Sequence, residues 1–382
     1  MNRRPPQLTD ADELMIHQHV GTFAEVATTD PAWTERVFGS AGDTSGELHV
    51  GFGMGRYLNR NVFDGFGMVT IGKTQYTVRG SRRLYPDPTV TAVGPLRYEV
   101  VEPLSAVRCI LEPNDVQPIA FDLTLYGHTQ PLTERNTVVR GYRTTDDVTR
   151  FIQTGSAEGR IEVAGEVYEL SRSSSFQVRD HSWGIRPHVG PPPADAKQHE
   201  IGAETNFRMV WAPGLLHGAD GEYAVHLSHW ISEGPNGTVV EDNTRIVRQE
   251  GTQVAAVNTV MQHRFDPSSE RLLEVTFDCE MADGTERRFV VEPIGVAAAC
   301  LGPGLYYGWK GHYHGEDRGR LVVDGECIDD IEEPDLQPEL HQLRQTLARV
   351  TDEVTGESGW CGLQSEAVGR FPELGLAIRT YR

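Results

Sequence analysis

An eight-residue block occurs twice in this chain, 160 residues apart, and no other feature restricts the possible fold as strongly. Gly159-Arg-Ile-Glu-Val-Ala-Gly-Glu166 aligns without gaps on Gly319-Arg-Leu-Val-Val-Asp-Gly-Glu326, with five of eight positions identical and Ile161 matched by Leu321. Each block reads as a strand running into a glycine turn. Arg160–Ala164 and Glu166–Leu170 make a hairpin about Gly165, and Leu321–Val323 turns at Asp324-Gly325, an Asp-Gly pair being a strong hairpin signal. Either two glycine-turned hairpins coincide, or each block closes one of two related β-domains of about 150 residues. The second reading predicts a tandem, joined near residues 171–200, where Gly190–His199 reads as a stiff, exposed, proline-rich loop.

The surrounding pattern agrees. Strands of five to nine residues alternate with turns: Gly67–Gly72 and Gln75–Arg79 pair about Gly72-Lys73-Thr74, and Leu96–Val101, Ala106–Leu111 and Ile119–Tyr126 follow. In the second half come Phe207–Trp211, Tyr223–Ile231, Thr244–Arg248, Leu272–Asp278 and Arg287–Glu292. Two helices are predicted. A short one follows Thr9 as cap, with Asp10, Asp12 and Glu13 in its first turn and Gly21 beyond its end. A longer one carries Leu336, Leu340, Leu343, Leu347 and Val350 as one apolar stripe, entered at Pro334 and Pro338.

Composition removes several classes. The 35 basic and 55 acidic residues leave a net charge of −20, a field that repels phosphate backbones and anionic membrane surfaces. No run approaches the roughly 20 apolar residues that span a bilayer, and the first residues carry no secretory-type apolar stretch. The 5 cysteines are scattered and odd in number, which opposes a disulfide framework or a zinc knuckle. A cytoplasmic protein with no nucleic-acid partner and no stable membrane insertion is expected.

Three clusters could carry chemistry. In Arg179-Asp180-His181-Ser182-Trp183-Gly184-Ile185-Arg186, a carboxylate beside an imidazole can set its tautomer and raise its basicity. Trp183 offers a π face, and Arg186 can hold an anion or pair with Asp180; the bland alternative is a satisfied turn. In His226-Leu-Ser-His229-Trp230, a strand puts His226, Ser228 and Trp230 on one face and His229 among apolar neighbours on the other. In Tyr306–His314, an extended segment would send Lys310, His312 and His314 to one side. A metal held by His226, His229, His312 and His314 is the minor reading, and no metal is expected. The glycines at 51–55 and 65–67 open no helix as a dinucleotide fingerprint does, and Ser173–Phe176 lacks the glycines of a nucleophile elbow.

At these residues the chain resembles a family. Arg179-Asp180-His181-Ser182-Trp183-Gly184 and the ending Gly311-His-Tyr-His-Gly315 with Gly319–Glu326 are similar to segments of the AttH-like and carotenoid 1,2-hydratase (hydroxyneurosporene synthase) superfamily. The resemblance implies an all-β fold of two tandem lipocalin-like β-barrel or β-sandwich domains, here with a C-terminal helix. The boundaries expected are 1–44 (N-terminal segment), 45–180, 181–333 and 334–382 (helix and tail). It also implies a cofactor-independent lyase or isomerase, of hydratase, dehydratase or cyclase type, on a hydrophobic isoprenoid- or steroid-like molecule. Asp180, alone or with His181, would move a proton and His229 the second proton or a water. Trp183, Arg186, Trp230 and Tyr307 would bind substrate. Ser228-His229-Trp230 stands where the hydratases carry a Trp-His-Trp segment. The alternative is a non-catalytic carrier of a hydrophobic ligand.

Overall fold

The computed structural model describes residues 8–17, 26, 28–140, 143–192, 206–234, 237–266, 271–340 and 344–376. Two antiparallel sheets account for nearly all regular structure among them. The all-β prediction is borne out. Alternation does the local work: in Ile119–Gly127 the residues Ile119, Phe121, Leu123 and Leu125 are buried, and the intervening ones are not.

The first sheet has 13 strands. Its path runs from Leu321–Ile328 through Thr74–Arg83, Val62–Ile71, Leu48–Tyr57, Trp33–Asp43, Ser175–Ile185 and Arg143–Val163 to Ile119–Gly127, Ala106–Leu111, Leu96–Glu102 and Ala92–Val93. The Leu132–Arg140 and Glu166–Leu170 strands pair with the long Arg143–Val163 strand off that path. The sheet curls on itself. Phe52 meets Tyr98 and Phe121 at ring-centroid distances of 6.4 and 6.3 Å, although their strands lie far apart along the path. One apolar core, from Val37 and Phe52 to Phe121 and Ile161, fills the interior.

The second sheet has 9 strands and closes. Asn206–Gly218 bonds to Ser358–Val368 on one side and to Gly221–Gly234 on the other. The ring is completed by Arg344–Asp352, Glu286–Cys300, Leu272–Met281, Gln253–Phe265 and Arg245–Val247. An eight-membered ring of this kind leaves room for side chains alone or for one small ligand. Its core includes Val210, Leu227, Phe277, Phe289 and Val350. A third layer, with Phe38, Phe66, Ile152, Phe176, Met209, Trp211 and Leu347, packs the two sheets together.

Three expectations need correction. The long C-terminal helix is absent: a 3-10 turn Pro334–Leu336 and a helical turn Gln337–Leu340 precede a strand, Arg344–Asp352. Leu347 faces the layer between the sheets and Val350 the second barrel's core. A central strand buried on both faces puts apolar residues at odd and even positions alike, which imitates a helical stripe; Leu343 lies outside the described residues. The N-terminal helix is one 3-10 turn, Asp10–Glu13, with Thr9 before it; Gly21 lies outside the described residues, as does most of the 190–199 loop.

The two copies of the repeated block also differ. The first is a hairpin, with Ala164 and Gly165 at φ of 51° and 91°. The second does not turn. Leu321–Ile328 runs straight through Asp324-Gly325 as one strand. Gly325 is needed there for proximity, since a Cβ would collide with the Thr77 carbonyl oxygen. That strand belongs to the first sheet, as does Trp33–Asp43, whereas 344–368 belongs to the second. The first sheet thus draws on strands within 33–185 and on 321–328, and the second on strands within 206–300 and 344–368.

Candidate active site

The two faces of the Ser175–Ile185 strand look into different compartments. The strand lies between Trp33–Asp43 and Arg143–Val163. Residues directly opposite in an antiparallel pair share a face. Asp180 stands opposite Phe38 and Ile152, both in the layer between the sheets. His181 stands opposite Val37 and Phe151, and Val37 belongs to the first barrel's interior. Adjacent strand residues point opposite ways, so the Asp180–His181 pair read from the sequence does not form.

On the face toward the second barrel, polar groups make a continuous row. Glu134, Arg150, Ser182 and Arg36 are consecutive cross-strand partners. Arg150 Nε lies 3.0 Å from Glu134 Oε1, and Arg150 Nη1 lies 4.0 Å from Asp180 Oδ2. Arg186 Nη1 donates to Ser182 Oγ at 2.9 Å. From the opposite barrel, His226 places Nε2 3.2 Å from Glu134 Oε2. Trp211 spans the gap, its ring 6.0 Å from the Arg150 guanidinium and 6.4 Å from the His226 ring. Arg36 reaches the Tyr306 ring at 4.5 Å and His314 Nε2 at 2.9 Å.

The electrostatics divide these groups. Burial pushes the Asp180 carboxyl up, against the opposing pull of Arg150, Arg186 and Arg36. Burial also works against the Glu134 charge, but Arg150 and His226 more than offset it and hold that carboxyl at about 2. Burial pushes His226 down, so its neutral form is favoured. With Nε2–H given to the Glu134 carboxylate, His226 Nδ1 carries the lone pair, and that buried atom has no hydrogen-bond partner among the described residues. A cavity of about 260 Å³, part of it open to solvent, is lined by His226, Ile152, Leu132, Pro213 and Val225 beside this row. Asp180 is not among the residues lining that cavity; an acid favoured in its protonated form and a neutral base with a fixed tautomer are linked through Arg150 and Glu134.

The first barrel's end holds the other predicted residues. His181 Nε2 lies 3.0 Å from Glu35 Oε1, and His17 Nδ1 lies 2.5 Å from the same oxygen. Burial opposes the Glu35 charge, yet hydrogen bonds from His17 and His181 keep the carboxyl below its ordinary value. Trp183 stacks on His17 at 3.4 Å rather than lining the Asp180 compartment. Among the described residues, His17, Glu35 and His181 are the group whose donor atoms converge closely enough for one metal ion, all within 4.8 Å.

His229 faces the interior as predicted, but that interior is the second barrel's own core. It stands opposite Val210, while Ser228 and Trp230 stand opposite Trp211 and Met209 in the shared layer. Its Nδ1 is 3.7 Å from Asp242 Oδ1. His226, not His229, therefore joins Asp180. Trp230 lies on the Asp180 side, against Phe207 at 6.0 Å. Tyr307 also borders that layer, donating to Glu366 Oε1 at 3.1 Å. The Tyr306–His314 segment is not extended, with Lys310 and Gly311 at φ of 49° and 84°. His312 pairs with Glu316 and His314 with Arg36, so neither joins the second barrel's histidines. Glu134, Arg150, Glu35 and His17 were not found from the sequence. Each stands far along the chain from its partner, and only the strand register brings them together.

A family model described as a family of unknown function (DUF8625) matches residues 8–377. The chain belongs to that family. No curated protein matches the sequence. Among solved structures, a candidate AttH from Nitrosomonas europaea is similar to this DUF8625 member with a TM-score of 0.50 at 10% identity, over 87% of this chain and 91% of the other. Kievitone hydratase from Nectria haematococca gives 0.44 at 11% identity, over 87% and 89%. CghA with Sch210972 gives 0.48 at 11% identity, over 88% of each. The AttH-like fold expected from the Asp180 and Gly319 segments is thus the fold this DUF8625 member adopts. No helix among the described residues is long and apolar enough to cross a membrane.

Proposed function

We propose that the chain is a lyase- or isomerase-type enzyme that moves protons on a hydrophobic small molecule bound between its two barrels. The observation that carries this reading is the relay Asp180–Arg150–Glu134–His226, which ends in an unpartnered imidazole nitrogen beside the cavity. In the hydration direction, the Asp180 O–H proton goes to one alkene carbon and the π pair forms the new C–H bond. Trp211 and Trp230 offer π faces to the positive charge that develops on the other carbon. A water oxygen bonds to that carbon while His226 Nδ1 takes the departing proton. Solvent then reloads Asp180 and unloads His226. The reverse sequence is a dehydration, and loss of a different proton is an isomerisation. Arg150, Arg186 and Arg36 favour the Asp180 carboxylate once its proton has left. Each positioned proton donor or acceptor is worth about 10²- to 10⁴-fold in rate.

The test is turnover in ¹⁸O-labelled water of a panel of isoprenoid and steroid alkenes and tertiary alcohols, followed by mass spectrometry. The reading requires label in the alcohol oxygen with the wild type and its loss with Asp180→Asn. Equal labelling by both proteins would end it. A second reading, a carrier, is favoured by one further feature. A cavity of about 460 Å³, partly open to solvent, is lined by Phe265, Leu272, Leu363 and Ala367 together with Arg271 and Arg344 at the second barrel and lies away from the relay. Saturable binding of a panel compound, with no turnover of any, would select the carrier.

A further inference from the structure

We infer that His17, Glu35 and His181 form a binding site for a divalent first-row transition ion, which clasps the N-terminal segment to the first barrel. The three residues come from three separate pieces of chain: an irregular segment, the Trp33–Asp43 strand and the Ser175–Ile185 strand. Two imidazole nitrogens and one carboxylate oxygen suit zinc or iron(II) and leave further positions for water. His17 Nδ1, Glu35 Oε1 and His181 Nε2 all lie within 4.8 Å of one another. Donors about 2.1 Å from a single tetrahedral ion stand roughly 3.4 Å apart. The present separations of 2.5 and 3.0 Å from the Glu35 oxygen need a small outward step, and the two imidazole nitrogens, within 4.8 Å of each other, adjust around the ion.

The surroundings are built for ligation. His17 has its other ring nitrogen, Nε2, 3.0 Å from Asp12 Oδ1. A carboxylate at that position fixes the ring and strengthens the metal-facing nitrogen, as in many histidine metal sites. The His17 backbone N–H is shared between Glu35 Oε2 at 3.1 Å and Oε1 at 3.2 Å, and Oε1 is also the oxygen that both imidazole nitrogens approach. Trp183 stacks flat on the His17 ring, and His181 is held edge-on by Phe151 and Trp183. Glu35 and His181 are fully buried, while His17 is partly exposed and gives the ion a way in. The Arg56 guanidinium, on the strand residue opposite Glu35, donates to the Met15 carbonyl.

The segment is already held at Glu13 and at Met15. Glu13 receives two charge-assisted bonds from Arg179 at 2.6 and 2.7 Å. An ion at His17 would add a further anchor, four residues after Glu13, and couple metal occupancy to the seating of residues 9–17.

The test uses the full chain stripped with a chelator and titrated with Zn²⁺ by calorimetry and with Co²⁺ by visible ligand-field absorption. One ion per chain is expected, with a Tm that rises on zinc addition. His17→Ala, whose side chain is the least buried of the three, should abolish the stoichiometric Co²⁺ spectrum and the zinc-dependent rise. Asp12→Asn should weaken zinc binding about 10- to 100-fold. Far-ultraviolet circular dichroism of the metal-free variants, matching that of the wild type, keeps loss of binding distinct from loss of fold. Two results would overturn the inference: no stoichiometric ion in the wild type, or binding that His17→Ala and Asp12→Asn leave unchanged.

Discussion

Asp180 and His181 are neighbours in sequence and strangers in space, and their separation sets the residue-scale predictions. Asp180→Asn keeps the volume and removes the proton, so turnover should fall about 10²- to 10⁴-fold while the melting temperature changes little. Because burial raises the Asp180 carboxyl, the wild-type rate should decline as the pH rises through a value above the ordinary carboxylate range. A pH–rate profile that loses this limb in Asp180→Asn is the check. His226→Ala should lower turnover by a similar factor, whereas His229→Ala should act on stability and not on the pH profile. Glu134 gives a prediction of opposite sign. Its folded carboxyl sits at about 2 against an ordinary 4.5, so the pairing stabilises fully above 4.5 and is lost as the pH falls toward 2. The stake is on the order of 3 kcal/mol. Urea midpoints measured from pH 6 down to pH 2 should fall more steeply for wild type than for Glu134→Gln.

Elements were more legible than their partners. Ile119–Gly127 could be read because one face is wet and one dry, which leaves period two in the letters. Arg344–Asp352 could not, because both its faces are covered and the alternation disappears. The same two-sided burial hides the functional pairings. The sequence showed the Asp180 segment and the face shared by His226 and Trp230, but nothing in it ties Glu134 to His226 or Glu35 to His181. Those contacts are created by register between strands far apart in the chain. The eight-residue repeat misled for a related reason: one glycine serves a turn and the other a close approach. Gly325→Ala should therefore cost about 2–4 kcal/mol, read as a lower urea midpoint. A hairpin at Asp324-Gly325 would have tolerated the change better.

For the whole molecule, the common layer of Phe38, Phe66, Ile152, Met209, Trp211 and Leu347 ties the barrels into one body. Denaturant unfolding should be a single transition, coincident by tryptophan fluorescence and by far-ultraviolet circular dichroism. Two separated transitions would show that the barrels melt apart. The cavity beside the relay is narrow and partly open to solvent, far short of the space that encloses a drug-sized molecule. A terpene- or steroid-sized ligand must part the layer to enter. Hydrogen exchange at the amides of 148–154 and 223–230 should accordingly slow when such a ligand binds.

The strand Leu321–Ile328 has a consequence for biogenesis. It completes the first sheet by covering the edge of Thr74–Arg83, yet a ribosome makes it only after seven of the second sheet's nine strands. Until then the nascent chain displays an open edge bearing Tyr76 and Val78, an invitation to pair with other chains. Nascent chains that end before residue 328 should therefore clump unless chaperones hold them, and the N-terminal barrel alone is the wrong fragment to express.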